Sequence, residues 1–140
     1  MSGSLPGFID VIVNLNTQAM DKDSWVRRAK SSGKRLVFFG DDTWLRLFPD
    51  TFDRSDGTAS FFVNDFTEVD NNVTRHLDDE LKRDDWDVLI LHYLGLDHIG
   101  HTLGPGSSLI RTKLEEMDGI VEKITYSLVS VSVKATRKFS

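Results

Sequence analysis

Three of the four histidines in this 140-residue chain, His92, His98 and His101, fall within ten positions of one another. Asp97 lies among them. A carboxylate and an imidazole four positions apart can bind one divalent cation, since Asp oxygen and His nitrogen both ligate zinc at about 2.0–2.2 Å. Asp97 and His101 are therefore a candidate ligand pair. Gly95, Gly100 and Gly104 would let the backbone turn tightly and approach a ligand. The same residues also suit a plain loop, with the carboxylate capping a turn and the histidines bonded to backbone. Two ligands do not complete a site, because zinc takes three or four from the protein. His98 reads equally as a ligand or as a histidine that supports the ligands or lies at the surface. His92, at a strand end, reads as buried and hydrogen-bonded, and His76 as a surface residue of a helix.

Other polar groups invite weaker readings. Asp41 and Asp42 could hold a cation or cap the next helix. Thr43 fits an N-cap better than a nucleophile. Asn72-Val73-Thr74 is an acceptor triplet for N-glycosylation, set inside an expected helix.

These residues need elements to position them. Leu36-Val37-Phe38-Phe39 and Val88-Leu89-Ile90-Leu91 are short continuous apolar runs, which suit strands covered on both faces. The pattern predicts a helix over 24–32, stopped by Gly33. A short helix is expected to carry Trp44, Leu45, Leu47 and Phe48. Residues 50–66 read as loop with a strand at Ser60 to Val63. Thr67-Glu68-Val69-Asp70 resembles a capping box with Asp in place of Glu. The helix after it places Val69, Val73, Leu77 and Leu81 on one face. A Gly-rich loop is expected from Gly95 to Gly106, then a helix bearing Leu109, Ile110, Leu114, Met117, Val121 and Ile124. Phe8 to Leu15 forms an apolar patch without a helix cap. Residues 125–140 change character, with serines alternating with valines as in an edge strand. The order predicts an α/β fold with a largely parallel sheet. In such sheets ligands bind beyond the carboxyl ends of the strands, where Asp41/Asp42 and Asp97 to His101 both fall.

Composition sets bounds. Hydrophobic residues make up 39% and charged residues 28%, so a folded domain is expected rather than a disordered chain. A net charge of −5 argues against nonspecific nucleic-acid binding, which needs a basic face. The absence of cysteine excludes disulfides and thiolate metal sites. No stretch approaches the ~18 apolar residues of a membrane helix, and residues 1–20 do not form a signal peptide.

The string Asp97-His98-Ile99-Gly100-His101, followed by Gly104-Pro105, resembles the phosphodiesterase branch of the alkaline phosphatase superfamily. Gly3-Ser4-Leu5-Pro6-Gly7-Phe8, Gly40-Asp41-Asp42-Thr43-Trp44, Phe48-Pro49, Asp70 to Leu77 and His92 to His98 together resemble the GPI ethanolamine phosphate transferases, over residues 3–124. The resemblance implies an endoplasmic reticulum membrane enzyme with a luminal catalytic domain, and a membrane-protein subunit as a partner. Such enzymes move phosphoethanolamine from phosphatidylethanolamine to a mannose of the GPI anchor precursor, here the second mannose. It implies two divalent cations, commonly zinc, and a covalent intermediate on a threonine. Asp97 and His101 match two ligands of one metal. His98 occupies a variable place in the pattern, and Asp41, Asp42 and Thr43 match neither nucleophile nor ligands.

The family's nucleophile and first metal-binding Asp would lie upstream of Gly3. Its Asp-His-Gly string and its last ligand histidine have no counterpart here. The expectation is thus a partial catalytic domain over 1–124 with a divergent tail over 125–140, inactive alone. The alternatives are a metal-dependent phosphodiesterase of the same superfamily and a non-catalytic fragment.

Overall fold

The computed structural model describes residues 24–59, 62 and 64–138, with side chains up to residue 130. The apolar patch Phe8 to Leu15 lies outside the described residues, as does most of the strand expected at Ser60 to Val63. The elements in chain order are α1 (Trp25–Ser31), β1 (Leu36–Asp41), α2 (Thr43–Leu47), β2 (Arg54–Thr58), α3 (Glu68–Glu80), β3 (Val88–Leu91), α4 (Gly95–Leu103) and α5 (Ser108–Lys138). The fold is α/β, with three parallel strands in the order β2-β1-β3.

β1 is the centre of the molecule. Its side chains alternate between two apolar layers, as the period of a strand requires. Leu36 joins Val26 of α1, and Phe48, on one face, with Trp44, Phe52 and Val88 packed around them. Val37 and Phe39 join Val73 of α3 on the other, with Trp86, Leu89, Leu91 and Tyr93. The continuous apolar run thus meets cover on both faces. Each large aliphatic side chain buried in these layers contributes about 1.5–3 kcal/mol. α3 presents Val69, Val73 and Leu77, all essentially inaccessible, and ends against Leu81.

The strand starts are tied by charge. Asp53 accepts hydrogen bonds from Leu36 N at 2.8 Å and Lys30 Nζ at 2.9 Å. The Arg54 guanidinium forks between Glu80 and Asp85 at 2.7–3.0 Å. The ends near which Asp41 and Asp97 fall are left free of these ties.

Four expectations are corrected. Residues Arg54–Thr58, read as loop, form a strand where no strong apolar signal exists. The segment from Gly95 is a helix as far as Leu103, and only then does Gly104, at φ 82°, break it. The expected edge strand of the tail is instead the continuation of α5, which runs through residue 124 without a break. The capping box at α3 does not form: Thr67 makes no side-chain cap bond, and Asp65 Oδ1 accepts from Thr67 N and Glu68 N at 3.1 and 2.8 Å.

Candidate metal-ligand pair

The strand order places a change of direction at β1, with β2 on one side and β3 on the other. Crevices of this kind, at the carboxyl ends of parallel strands, are where open α/β sheets bind ligands. β1 delivers Asp41 and Asp42 there, and β3 leads through His92, Tyr93 and Leu94 into α4.

The helical form of residues 95–103 sharpens the ligand pair. Positions i and i+4 lie on one helix face, and His101 Nε2 sits 3.3 Å from Asp97 Oδ1. The side chains are 66% and 46% exposed, so an ion can reach both. One carboxylate oxygen and one imidazole nitrogen are the donor types a zinc-like cation takes. Among the described residues no group of three or more His, Asp or Glu side chains could hold a metal. Asp97 and His101 are two donors, fewer than the three or four a zinc site takes from the protein.

The other histidines do different work. His98 is buried, and its Nδ1 lies 2.9 Å from the Asp65 carbonyl, which pins α4 to the segment before α3. That places His98 on the buried side of α4, away from the exposed Asp97 and His101. His92 is half-buried, but its Nδ1 is enclosed with no hydrogen-bond partner among the described residues, against the expectation of a bonded ring. Burial lowers its pKa below the ordinary value, outweighing the carboxylates of Asp41, Asp97 and Asp70. His76 is half-buried rather than fully exposed: it stacks on Phe39 at 4.2 Å between centroids and meets Asp56 Oδ2 at 2.8 Å.

Asp41 is buried and its Oδ1 accepts from Thr43 N at 2.8 Å, so it serves as a cap for α2. Asp42, not Thr43, occupies the N-cap position, and it pairs with Arg46 at 2.7 Å. Burial raises the Asp42 pKa, opposed by Arg46 and assisted by Asp41. Thr43 is itself buried, with Arg46 Nη2 3.4 Å from its hydroxyl. In the glycosylation triplet, Asn72 is half-buried on α3, Val73 is fully buried, and the Thr74 hydroxyl bonds Tyr93.

Asp70 and Lys113 had no place in the sequence reading of the site. Asp70 turns inward, fully buried, and accepts from Leu94 N and Gly95 N at 3.0 Å each. Its other oxygen meets Lys113 Nζ at 3.1 Å. One signal was available: Lys113 falls between Ile110 and Met117, one helical turn from each, within an otherwise apolar stripe.

The chain belongs to the family described as Type I phosphodiesterase / nucleotide pyrophosphatase, which matches residues 18–131. This family fits the alkaline phosphatase superfamily and generally uses divalent metal ions. Among its relatives, the chain is 66% identical over 93% of its length to GPI ethanolamine phosphate transferase 2, catalytic subunit, of Homo sapiens. It is 54% identical over 91% of its length to GPI ethanolamine phosphate transferase 2 of Aspergillus oryzae. The Schizosaccharomyces pombe protein of that name is 50% identical over 88% of the chain. The chain spans only 13%, 16% and 17% of the length of these three relatives. No solved structure was found to match.

Proposed function

We propose that these residues are part of the catalytic domain of a GPI ethanolamine phosphate transferase. The reaction moves phosphoethanolamine from phosphatidylethanolamine onto the second mannose of the GPI anchor precursor, on the luminal side of the endoplasmic reticulum membrane. The observation that carries this reading is the Asp97–His101 pair on one face of α4, beyond the carboxyl end of β3, in a chain so similar to proteins of that name. Zinc is the proposed cation, held by Asp97 Oδ1 and His101 Nε2 together with ligands from other parts of the protein. A bound cation pair would polarise the transferring phosphoryl group and activate the nucleophile. The chain's own part is to hold two donors at a fixed spacing on a helix anchored at both its buried side and its N-terminus. Among the described residues no helix is long and apolar enough to cross a membrane, so membrane attachment and any membrane-protein subunit belong to the proposal for the longer protein. Asn72 is proposed as a glycosylation acceptor only before α3 is packed.

The test has two arms. In a longer protein containing these residues, Asp97→Ala and His101→Ala are expected to lower phosphoethanolamine transfer by at least about a hundredfold, since even residues behind metal ligands change affinity 10–100-fold. Transfer at the wild-type rate in either variant would overturn the assignment. Residues 1–140 alone are expected to show no transfer, and measurable transfer would refute the reading of a partial site. The family description favours one second reading, a phosphodiesterase acting on nucleotide diesters. Hydrolysis of such a diester without phosphoethanolamine transfer would select it.

A further inference from the structure

α4 has no side-chain cap of its own. Leu94 stands at its N-cap position and makes no capping bond through its side chain. The free amides at a helix start need an acceptor, and a carboxylate there also meets the positive end of the helix dipole. Asp70, projecting from α3, supplies that acceptor to Leu94 N and Gly95 N. The fit leaves no room for a side chain: a Cβ at Gly95 would overlap Asp70 Oδ2 and lie 2.6 Å from the Phe66 carbonyl.

The carboxylate is in turn held by Lys113 of α5. Lys113 Nζ also meets Glu116 Oε2 at 2.8 Å. The Asp70 and Lys113 side chains are 0% and 6% exposed, so this is an interior ion pair. Burial lowers the Lys113 pKa, but Glu116 and Asp70 outweigh it and leave the ammonium above its ordinary value. Breaking such a pair from one side leaves an uncompensated buried charge. A single carboxylate thus joins α3, α4 and α5 two residues before Asp97.

We propose that Asp70 and Lys113 are a positioning pair that sets the orientation of α4 and thereby the cation affinity of Asp97 and His101. The proposal rests on the reading of Asp97 and His101 as ligands. Neither Asp70 nor Lys113 touches the cation. The His98–Asp65 bond holds the buried side of α4, and the Asp70 carboxylate holds its start. Together they fix the helix against sliding and against rotation about its axis.

The experiment uses the whole 140-residue chain labelled for NMR, with zinc alone as the probe. Zinc is expected to shift the His101 imidazole signals, and Asp97→Ala to abolish the shift. The double variant Asp70→Ala/Lys113→Met removes both charges together, so neither is stranded in the interior. It is expected to weaken the zinc response of His101 by about 10–100-fold. Residual dipolar couplings of the α4 amides should change relative to those of β1. Val73→Ala, a cavity on α3 one turn from Asp70, should lower stability and leave the zinc response unchanged. Wild-type zinc affinity and wild-type α4 couplings in the double variant would overturn the proposal. An equal loss of affinity in Val73→Ala would overturn it too. If the double variant fails to fold, Gly95→Ala strikes the same contact, and an unaltered zinc response there sinks the idea. Absence of any zinc shift at His101 in the wild-type chain would instead sink the reading that these two donors hold the cation without further ligands, and the couplings then decide the positioning of α4.

Discussion

At the scale of the residue, the ligand pair and the groups around it differ in how far they can be read from sequence. The closeness of Asp97 and His101 was legible because a spacing of four brings them together on a helix and does not forbid it in a loop. The Asp70 carboxylate at the start of α4 was not legible, because its partners lie 24, 25 and 43 positions away. His92 shows a further effect that only packing creates. Its ring lies 6.0 Å from that of Trp44 between centroids, and its Cβ and backbone lie against Gly40 of β1. Burial holds its folded-state pKa below the ordinary value near 6.5, so the folded chain refuses a proton that the unfolded chain takes. Stability from this group is intact above about pH 6.5 and is lost as pH falls through the folded-state value. His92→Leu should remove that dependence. Urea denaturation at pH 7.5 and pH 5.5 checks it: the variant should gain on the wild-type chain at the lower pH, and parallel losses would contradict the assignment.

At the scale of the element, apolar runs were the dependable signal and their absence the chief blind spot. β1 and β3 stood out through Leu36–Phe39 and Val88–Leu91. β2, Arg54-Ser55-Asp56-Gly57-Thr58, carries no large apolar side chain and is a strand through backbone pairing with Val37 to Asp41. The glycines of α4 suggested a loop because Gly weakens isolated helices by roughly 1 kcal/mol each, and it is Asp70 that caps this helix from outside. In α5 the Ser/Val alternation has a strand-like period, yet an existing helix gains one bond for each residue added. Thr125 and Ser130 bond the carbonyls of Val121 and Tyr126 four residues back, so their hydroxyls are satisfied within the helix. The β1–β3 contact gives the sharpest test of element packing. Gly40 has φ 150°, and a Cβ there would lie 2.5 Å from His92 Cβ and 2.8 Å from the His92 carbonyl. Gly40→Ala should destabilise the chain by about 1–3 kcal/mol, the usual range for overpacking. A denaturation midpoint equal to that of the wild-type chain would show that the strands do not approach so closely.

At the scale of the whole molecule, the described residues form a three-layer sandwich, with the Asp53 and Arg54 ties at the strand starts and Asp97 and His101 beyond the opposite ends. α5 turns Ile110, Lys113 and Met117 toward the body and leaves Leu109, Leu114, Val121 and Leu128 substantially exposed. The sheet itself is asymmetric in a simpler way. β1 has a neighbour on each side, whereas among the described residues β2 and β3 have one each. In a parallel ladder successive amides of a strand point alternately to its two sides. Hydrogen–deuterium exchange would turn this arrangement into a rhythm along the backbone. Amides from Val37 to Phe39 should exchange uniformly slowly, and those from Val88 to Leu91 should alternate between slow and fast. A further strand laid along the outer margin of β3 would silence the fast beats, so the exchange trace of the chain alone, set beside that of a longer protein, would reveal where the sheet continues.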